Sequence, residues 1–156
     1  MEYKKMRRSE KLMSTEDTEE VLRKAPFGIL ACVDEGGYAY SVPLHFVYEN
    51  RRIYFHSARE GRKLDCMRHH PSVSFSAVSW YRILPEKFDT EYDSAVIFGE
   101  ARCLDGTSEK QEALQALLSK YSAPYQQEGM AYIKQAGEHT SVWAVDIRHM
   151  TGKRGR

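Results

Sequence analysis

The chain has 156 residues, 42% apolar and 29% charged, a length and composition that suit one globular domain with a real core and exclude disordered, collagen-like and membrane-spanning classes. Lys and Arg (23) nearly balance Asp and Glu (22), for a formal charge of +1. That excludes the uniform basic field of a duplex-binding surface and makes nucleic acid a poor partner. No run approaches the roughly 20 apolar residues of a membrane span, and no apolar core follows the basic arm 1–13, so the expected location is the cytoplasm. Cys32, Cys66 and Cys103 are odd in number and far apart in sequence, which reads as reduced, mostly buried thiols rather than a disulfide framework.

After the arm, Ser14 followed by Thr15-Glu16-Asp17 marks a helix start, with Ser14 as N-cap and a stop before Pro26. Residues 27–33 form a short apolar strand that ends in the turn Asp34-Glu35-Gly36-Gly37. From Tyr38 to Tyr48 the residues alternate, with Val42, Leu44, Phe46 and Tyr48 on one face and Ser41, Pro43 and His45 on the other, which predicts one half-buried strand. A turn at 49–52 and a β-branched and aromatic run at 53–57 complete an expected three-strand meander. A short helix follows around Leu64 and Met67 and ends at Pro71.

Val73, Phe75 and Ala77 begin a fourth strand reaching Trp80, and 94–104 a fifth, with a loop of about ten residues between them. Trp80, Tyr81 and that loop, 82–91, are read either as a rim over a cleft, where an aromatic stacks on a planar substrate, or as a plug at the barrel end. Ala113, Leu114, Leu117, Leu118 and Tyr121 lie on one stripe of an amphipathic helix, and a weaker helix surrounds Tyr132. A sixth strand covers 141–147, followed by a polar, basic tail, 151–156. Six or more mostly antiparallel strands with inserted helices predict a mainly β fold, a small barrel with covering helices, formed as a single domain over 1–156.

The sharpest chemical feature is His56-Ser57-Ala58-Arg59-Glu60-Gly61-Arg62-Lys63, a strand end leading through a flexible turn into a helix that starts with two cations. Unpaired N–H groups, the positive end of the helix dipole and adjacent Arg and Lys favour a phosphate; a solvated basic turn is the plain alternative. No Gly-x-x-x-x-Gly-Lys-Ser/Thr and no Gly-x-Gly-x-x-Gly is present, so the phosphate would be held outside those loops. Cys66-x-x-His69-His70 lacks a second ligand pair and reads as packing and surface rather than as a metal site. His45 and His56 lie on different strands, and each is either a proton donor near a bound group or a strand histidine held by backbone bonds.

The order of Pro43-Leu44-x-Phe46-Val47-Tyr48, Ile53-Tyr54-Phe55-His56-Ser57-Ala58, Gly61-Arg62-Lys63, His70-Pro71-x-Val73-x-Phe75, Tyr92-x-Ser94-Ala95-Val96 and Phe98-Gly99-x-Ala101 resembles the pyridoxamine 5'-phosphate oxidase-like FMN-binding split barrels, and within them the nitroimidazole-resistance (nitroimidazole reductase) branch. The resemblance implies a split-barrel homodimer with FMN in clefts between subunits. It further implies that Val42, Pro43 and Leu44 line the isoalloxazine through their backbone. His56, Ser57 and Ala58 would lie close to the flavin, Gly61, Arg62 and Lys63 at its phosphate, and Ser94 at a further polar contact, although Ser94-Ala95 stands where the family has Ser-Val. Lys153 would fall near the cleft. The implied activity is FMN-dependent reduction of a small planar or nitroaromatic compound with electrons from a nicotinamide nucleotide, with His56 as the catalytic candidate. A clear match to the arginine-rich C-terminal segment of true oxidases is missing; Arg148 and His149 only echo it. The alternative is a flavin or haem carrier, sensor or haem-handling protein, with His69, His70 or His149 as axial ligand.

Overall fold

The computed structural model of the protein describes residues 2–156. Helix α1 (Thr15–Lys24) starts where expected: the Asp17 N–H donates to Ser14 Oγ at 3.1 Å, and the helix ends at Ala25 before Pro26. Strands β1 (Gly28–Val33), β2 (Ala39–Leu44), β3 (Val47–Glu49) and β4 (Arg52–Ala58) lead into α2 (Arg62–His69). Then come β5 (Ser72–Leu84), β6 (Asp89–Cys103), α3 (Glu109–Tyr121), α4 (Gln126–Ala136) and β7 (Thr140–Gly155). The seven strands form one sheet in the order β2-β1-β5-β6-β7-β4-β3, antiparallel throughout.

β2 and β3 are the two edges of that sheet, yet only His45 and Phe46 separate them. Leu44 and Val47 are three peptide steps apart, at most about 11 Å. The sheet therefore curls until its edges nearly meet, and the result is a barrel split along the β2/β3 seam. Alternation along each strand sends Leu30, Ile53, Phe55, Phe75, Ile97 and Val145 into the interior, where Phe46 from the crossing joins them. Gly99 sits at a bulge where β6 shifts register against β7, and a Cβ there would run into the carbonyl of Asp146, so the bend requires glycine. A second, smaller core of Tyr54, Leu104, Ala113, Leu114, Val142 and Ala144 attaches α3 to the outside of β4 and β7.

Three expectations need correction. The alternation from Tyr38 to Tyr48 is not one strand but two that lie at opposite edges of the sheet, because the chain crosses the seam at His45–Phe46; the meander is accordingly two hairpins, β1–β2 and β3–β4. The loop at 82–91 is instead a paired ribbon in which β5 and β6 continue to Leu84↔Asp89 around a tight turn. The tail 151–156 is strand as far as Gly155: Thr151, Lys153 and Gly155 pair with Val96, Ser94 and Tyr92, and the Met13 N–H donates to the Gly152 carbonyl. The fold also brings Cys32 and Cys66 together in the interior, where burial, with Cys66 as hydrogen-bonding neighbour, pushes the Cys32 thiol up to about 12; Cys103 is exposed.

Candidate functional site

β4 is built of β-formers and alternates between the two cores: Ile53 and Phe55 point into the barrel, Tyr54 and His56 outward toward α3. Ser57 follows on the inner face at the strand's end. It is 7% exposed, and its buried Oγ has no hydrogen-bond partner. A buried hydroxyl without a partner carries a desolvation cost that a bound polar group would remove.

The chain then turns through Gly61, whose φ of 147° few residues with a side chain adopt. α2 begins at Arg62 with no side-chain cap on its first turn. The two cations there diverge. The Arg62 guanidinium turns back to the β1–β2 hairpin, donating to Asp34 Oδ2 at 3.2 Å with its Cζ 5.2 Å from the Tyr40 ring centre. Lys63 is half-buried and has no ion pair among the described residues. Loss of solvent, together with the neighbouring His45 and Lys63, holds His56 below the ordinary imidazole pKa, so its neutral form is favoured near pH 7.

His45 is positioned from α3. Its ring lies 4.8 Å from that of Tyr121, whose hydroxyl accepts from the Phe46 N–H at 3.0 Å and shares its proton between the Pro26 and Phe46 carbonyls, each at 2.8 Å. Lys120 Nζ donates to the carbonyls of Ala25 (2.8 Å) and Phe46 (2.9 Å) and sits 3.9 Å from the Phe46 ring centre. Burial lowers the Lys120 pKa to about 8. The seam crossing is thus pinned by two consecutive side chains of α3.

Between the end of β4 and helices α3 and α4 lies a cavity of about 660 Å³. Leu114, Leu117 and Ala58 supply apolar wall, Tyr121, Tyr125 and Tyr132 aromatic wall, and His45, His56, Ser57 and His139 the polar points. Such a space suits a planar molecule held by stacking and a few directed hydrogen bonds. Of the residues expected at a site, His56, Ser57 and Ala58 line this cavity and His45 joins them, whereas Gly61 and Lys63, in the turn and first turn of α2, do not line it. Val42 and Leu44 pack half-buried on the core, Pro43 is exposed, and β2 offers an unpaired outer backbone edge. Pro43 has no N–H to leave unsatisfied there.

Ser94 lies elsewhere. It pairs with Val78 and Lys153, whereas His56 pairs with Val142, eleven positions away along β7 (142 to 153). Trp80 lies under Arg156, 4.4 Å from its Cζ, and does not line the cavity of its own chain. Among the proposed axial histidines, His69 at the end of α2 and His70 just after it are exposed, and His149 stacks on Tyr3 at 4.5 Å; none lines the cavity. No group of three or more potential metal-ligating side chains occurs among the described residues. The wall formed by Tyr121, Tyr125, Tyr132 and His139 was not identified from sequence; Tyr121 was placed on an apolar stripe, and the polar Lys120 beside it was the available signal.

No curated protein matches the chain. Similar solved structures include a protein from Bacteroides thetaiotaomicron provisionally described as a 5-nitroimidazole antibiotic resistance protein (24% identity, 92% of this chain and 86% of that one, TM-score 0.78). Others are a FAD-binding protein from Mesorhizobium loti (21%, 93% and 97%, TM-score 0.68) and a FAD and heme binding protein from Mycobacterium smegmatis (16%, 94% and 74%, TM-score 0.72). Likeness at this level of identity shows the fold. Residues 14–154 match the family model for pyridoxamine 5'-phosphate oxidase, a span that takes in α1 to α4 and β1 to β7 except Gly155, the last residue of β7, and the chain belongs to that family.

Proposed function

We propose that the protein is an FMN-dependent oxidoreductase, active as a homodimer, that reduces a small planar or nitroaromatic compound with electrons from a nicotinamide nucleotide. The single observation that carries this reading is the partnerless Ser57 Oγ at the junction of the uncapped α2 turn and an apolar, aromatic-walled cavity. The residues present fit the cofactor: the first turn of α2, Lys63 and Ser57 would hold the phosphate, and the open backbone edge of β2 at Val42, Pro43 and Leu44 would run along the isoalloxazine. When bound, the flavin supplies the hydride and electron transfer that no side chain provides. Neutral His56 carries one N–H and one lone pair, so it can donate a hydrogen bond or proton to a substrate whose charge becomes more negative on reduction. The tyrosine wall excludes water and stacks on the planar compound.

A homodimer is supported by two features. Ser94 and Lys153 stand eleven positions along β7 from His56, so a second copy is needed to bring both groups to one cleft. The outer sheet face also leaves Val78, Val96 and Phe98 40–49% exposed, an apolar patch that suits burial against another protein surface.

A second reading is a flavin or haem binder without turnover. It is favoured by one observation, that His45, His56 and His139 line the same apolar cavity. The two separate in an anaerobic assay of the FMN-loaded protein with NADH or NADPH. The oxidoreductase reading expects nicotinamide oxidation to accelerate when a 5-nitroimidazole or another nitroaromatic is added; retained flavin with no acceleration for any acceptor selects the carrier.

A further inference from the structure

Glu128 lines the cavity from α4, three residues after Tyr125 and four before Tyr132, which line it as well. Side chains at that spacing share one face of a helix, so the carboxylate stands between the two rings. Gly129, next to it, lets this face of α4 come close to α3, since a Cβ there would run into the Leu118 side chain. Glu128 is exposed and takes part in no hydrogen bond or ion pair among the described residues.

The cavity holds nothing to balance that charge. Among the described residues, its histidines apart, Glu128 is the one charged side chain that lines it, and burial favours the neutral form of His56. The lysines of α3 are turned to other partners. Lys110 Nζ donates to the Gly137 and Thr140 carbonyls at 2.8 and 2.7 Å and lies 3.3 Å from Asp105, Lys120 holds the Ala25 and Phe46 carbonyls, and neither lines the cavity. Lys120 Nζ also lies 5.2 Å from the Tyr121 ring centre, whereas no Lys or Arg among the described residues stands over Tyr125 or Tyr132. Two open ring faces, each with a negative quadrupole, thus flank an unpaired carboxylate. Such a wall attracts a cation, and it charges an anion the loss of its hydration with no counter-charge in return.

We propose that the α3–α4 cavity takes a planar aromatic cation, an N-alkylated or protonated nitrogen heterocycle, with its ring against Tyr125 and Tyr132 and its charge beside Glu128. This rests on the reading of that cavity as the substrate space and names the charge class of the planar compound, selecting against planar carboxylates and phosphates. The volume of about 660 Å³ is in the range that holds a one- or two-ring compound.

The test is calorimetric titration of the full-length protein at pH 7, with and without added FMN, using three probes of one shape: N-methylquinolinium, quinoline and quinoline-4-carboxylate. The cation is expected to bind about tenfold more tightly than quinoline, and the carboxylate most weakly. Glu128→Gln, on an exposed helix face, should remove most of the preference for the cation while leaving quinoline affinity and the thermal melt as in wild type. A carboxylate that binds as well as the cation, a preference that survives Glu128→Gln, or no binding of any probe overturns the proposal. FMN uptake and nitroaromatic-stimulated nicotinamide oxidation, measured on the same preparation, separate the failures. If both are present and the charge preference is absent, the oxidoreductase reading stands without this substrate class; if FMN is refused, that reading falls, and the titrations without FMN still decide the charge preference.

Discussion

At the level of single residues, the two cations that follow Gly61 are adjacent in sequence but differ in surroundings. Arg62 already has Asp34 and Tyr40 as partners, whereas Lys63 has no ion pair among the described residues. Lys63→Ala should therefore weaken FMN binding by about 1.5–3 kcal/mol, roughly ten- to a hundredfold in Kd, the range for a charge-assisted hydrogen bond. Arg62→Ala should weaken it much less. A fluorescence titration of both variants checks the order, and equal affinities for Lys63→Ala and wild type would put the phosphate elsewhere. The strand–turn–helix at 56–63 was legible in the sequence because each of its residue types has a local reason to be there. The different fates of Arg62 and Lys63 were not, since Asp34 reaches Arg62 only through the curl of the sheet.

Among the elements, α3 matters most to the site, because it forms one cavity wall and holds the seam crossing through Lys120 and Tyr121. Its N-terminus is tied down by Arg102, which donates to Glu109 at 2.7 and 2.9 Å and to Asp146 at 2.7 and 3.1 Å, while Tyr54 donates to Glu109 at 2.8 Å. Arg102 lowers the Glu109 carboxyl to about 2 from an ordinary 4.5. A depressed carboxylate stabilises the fold above its unfolded pKa and loses that contribution as pH falls from about 4.5 to about 2. Glu109→Ala should cost about 1–2 kcal/mol at pH 7, reduced by the partial exposure of Arg102, and the difference from wild type should shrink across that window. Urea melts at pH 7 and pH 3 check this, and a constant difference would mean the network contributes nothing through charge.

The same elements show why sequence patterns stop short. Alternation alone cannot reveal that Leu44 and Val47 belong to opposite edges, because the period of two continues unbroken across the seam while the hydrogen-bond partners change. The ribbon at 82–91 was missed because its charges, Arg82, Glu86, Lys87, Asp89 and Glu91, look like a loop, yet Arg82 and Glu91 pair at 3.1 Å across the two strands. The tail was missed for a similar reason: its basic residues find Asp93, which accepts from Arg154 at 2.9 Å.

For the whole molecule, the barrel and its antiparallel order were readable from the spacing of strand and turn motifs, because these are set by local chemistry repeated along the chain, whereas the family came from the resemblance of its ordered motifs and not from that chemistry. The division of the proposed site between two copies was not, since it depends on how far apart β7 carries His56 and Ser94. The central claim is that this barrel is a flavoprotein that uses FMN. The most direct measurement is the absorption spectrum of the purified protein, before and after heat release of its chromophore, with chromatography of what is released. The expected result is a flavin spectrum with FMN in the supernatant, or the same spectrum on adding FMN to colourless protein. A haem Soret band, released FAD, or a colourless protein that refuses FMN would contradict it.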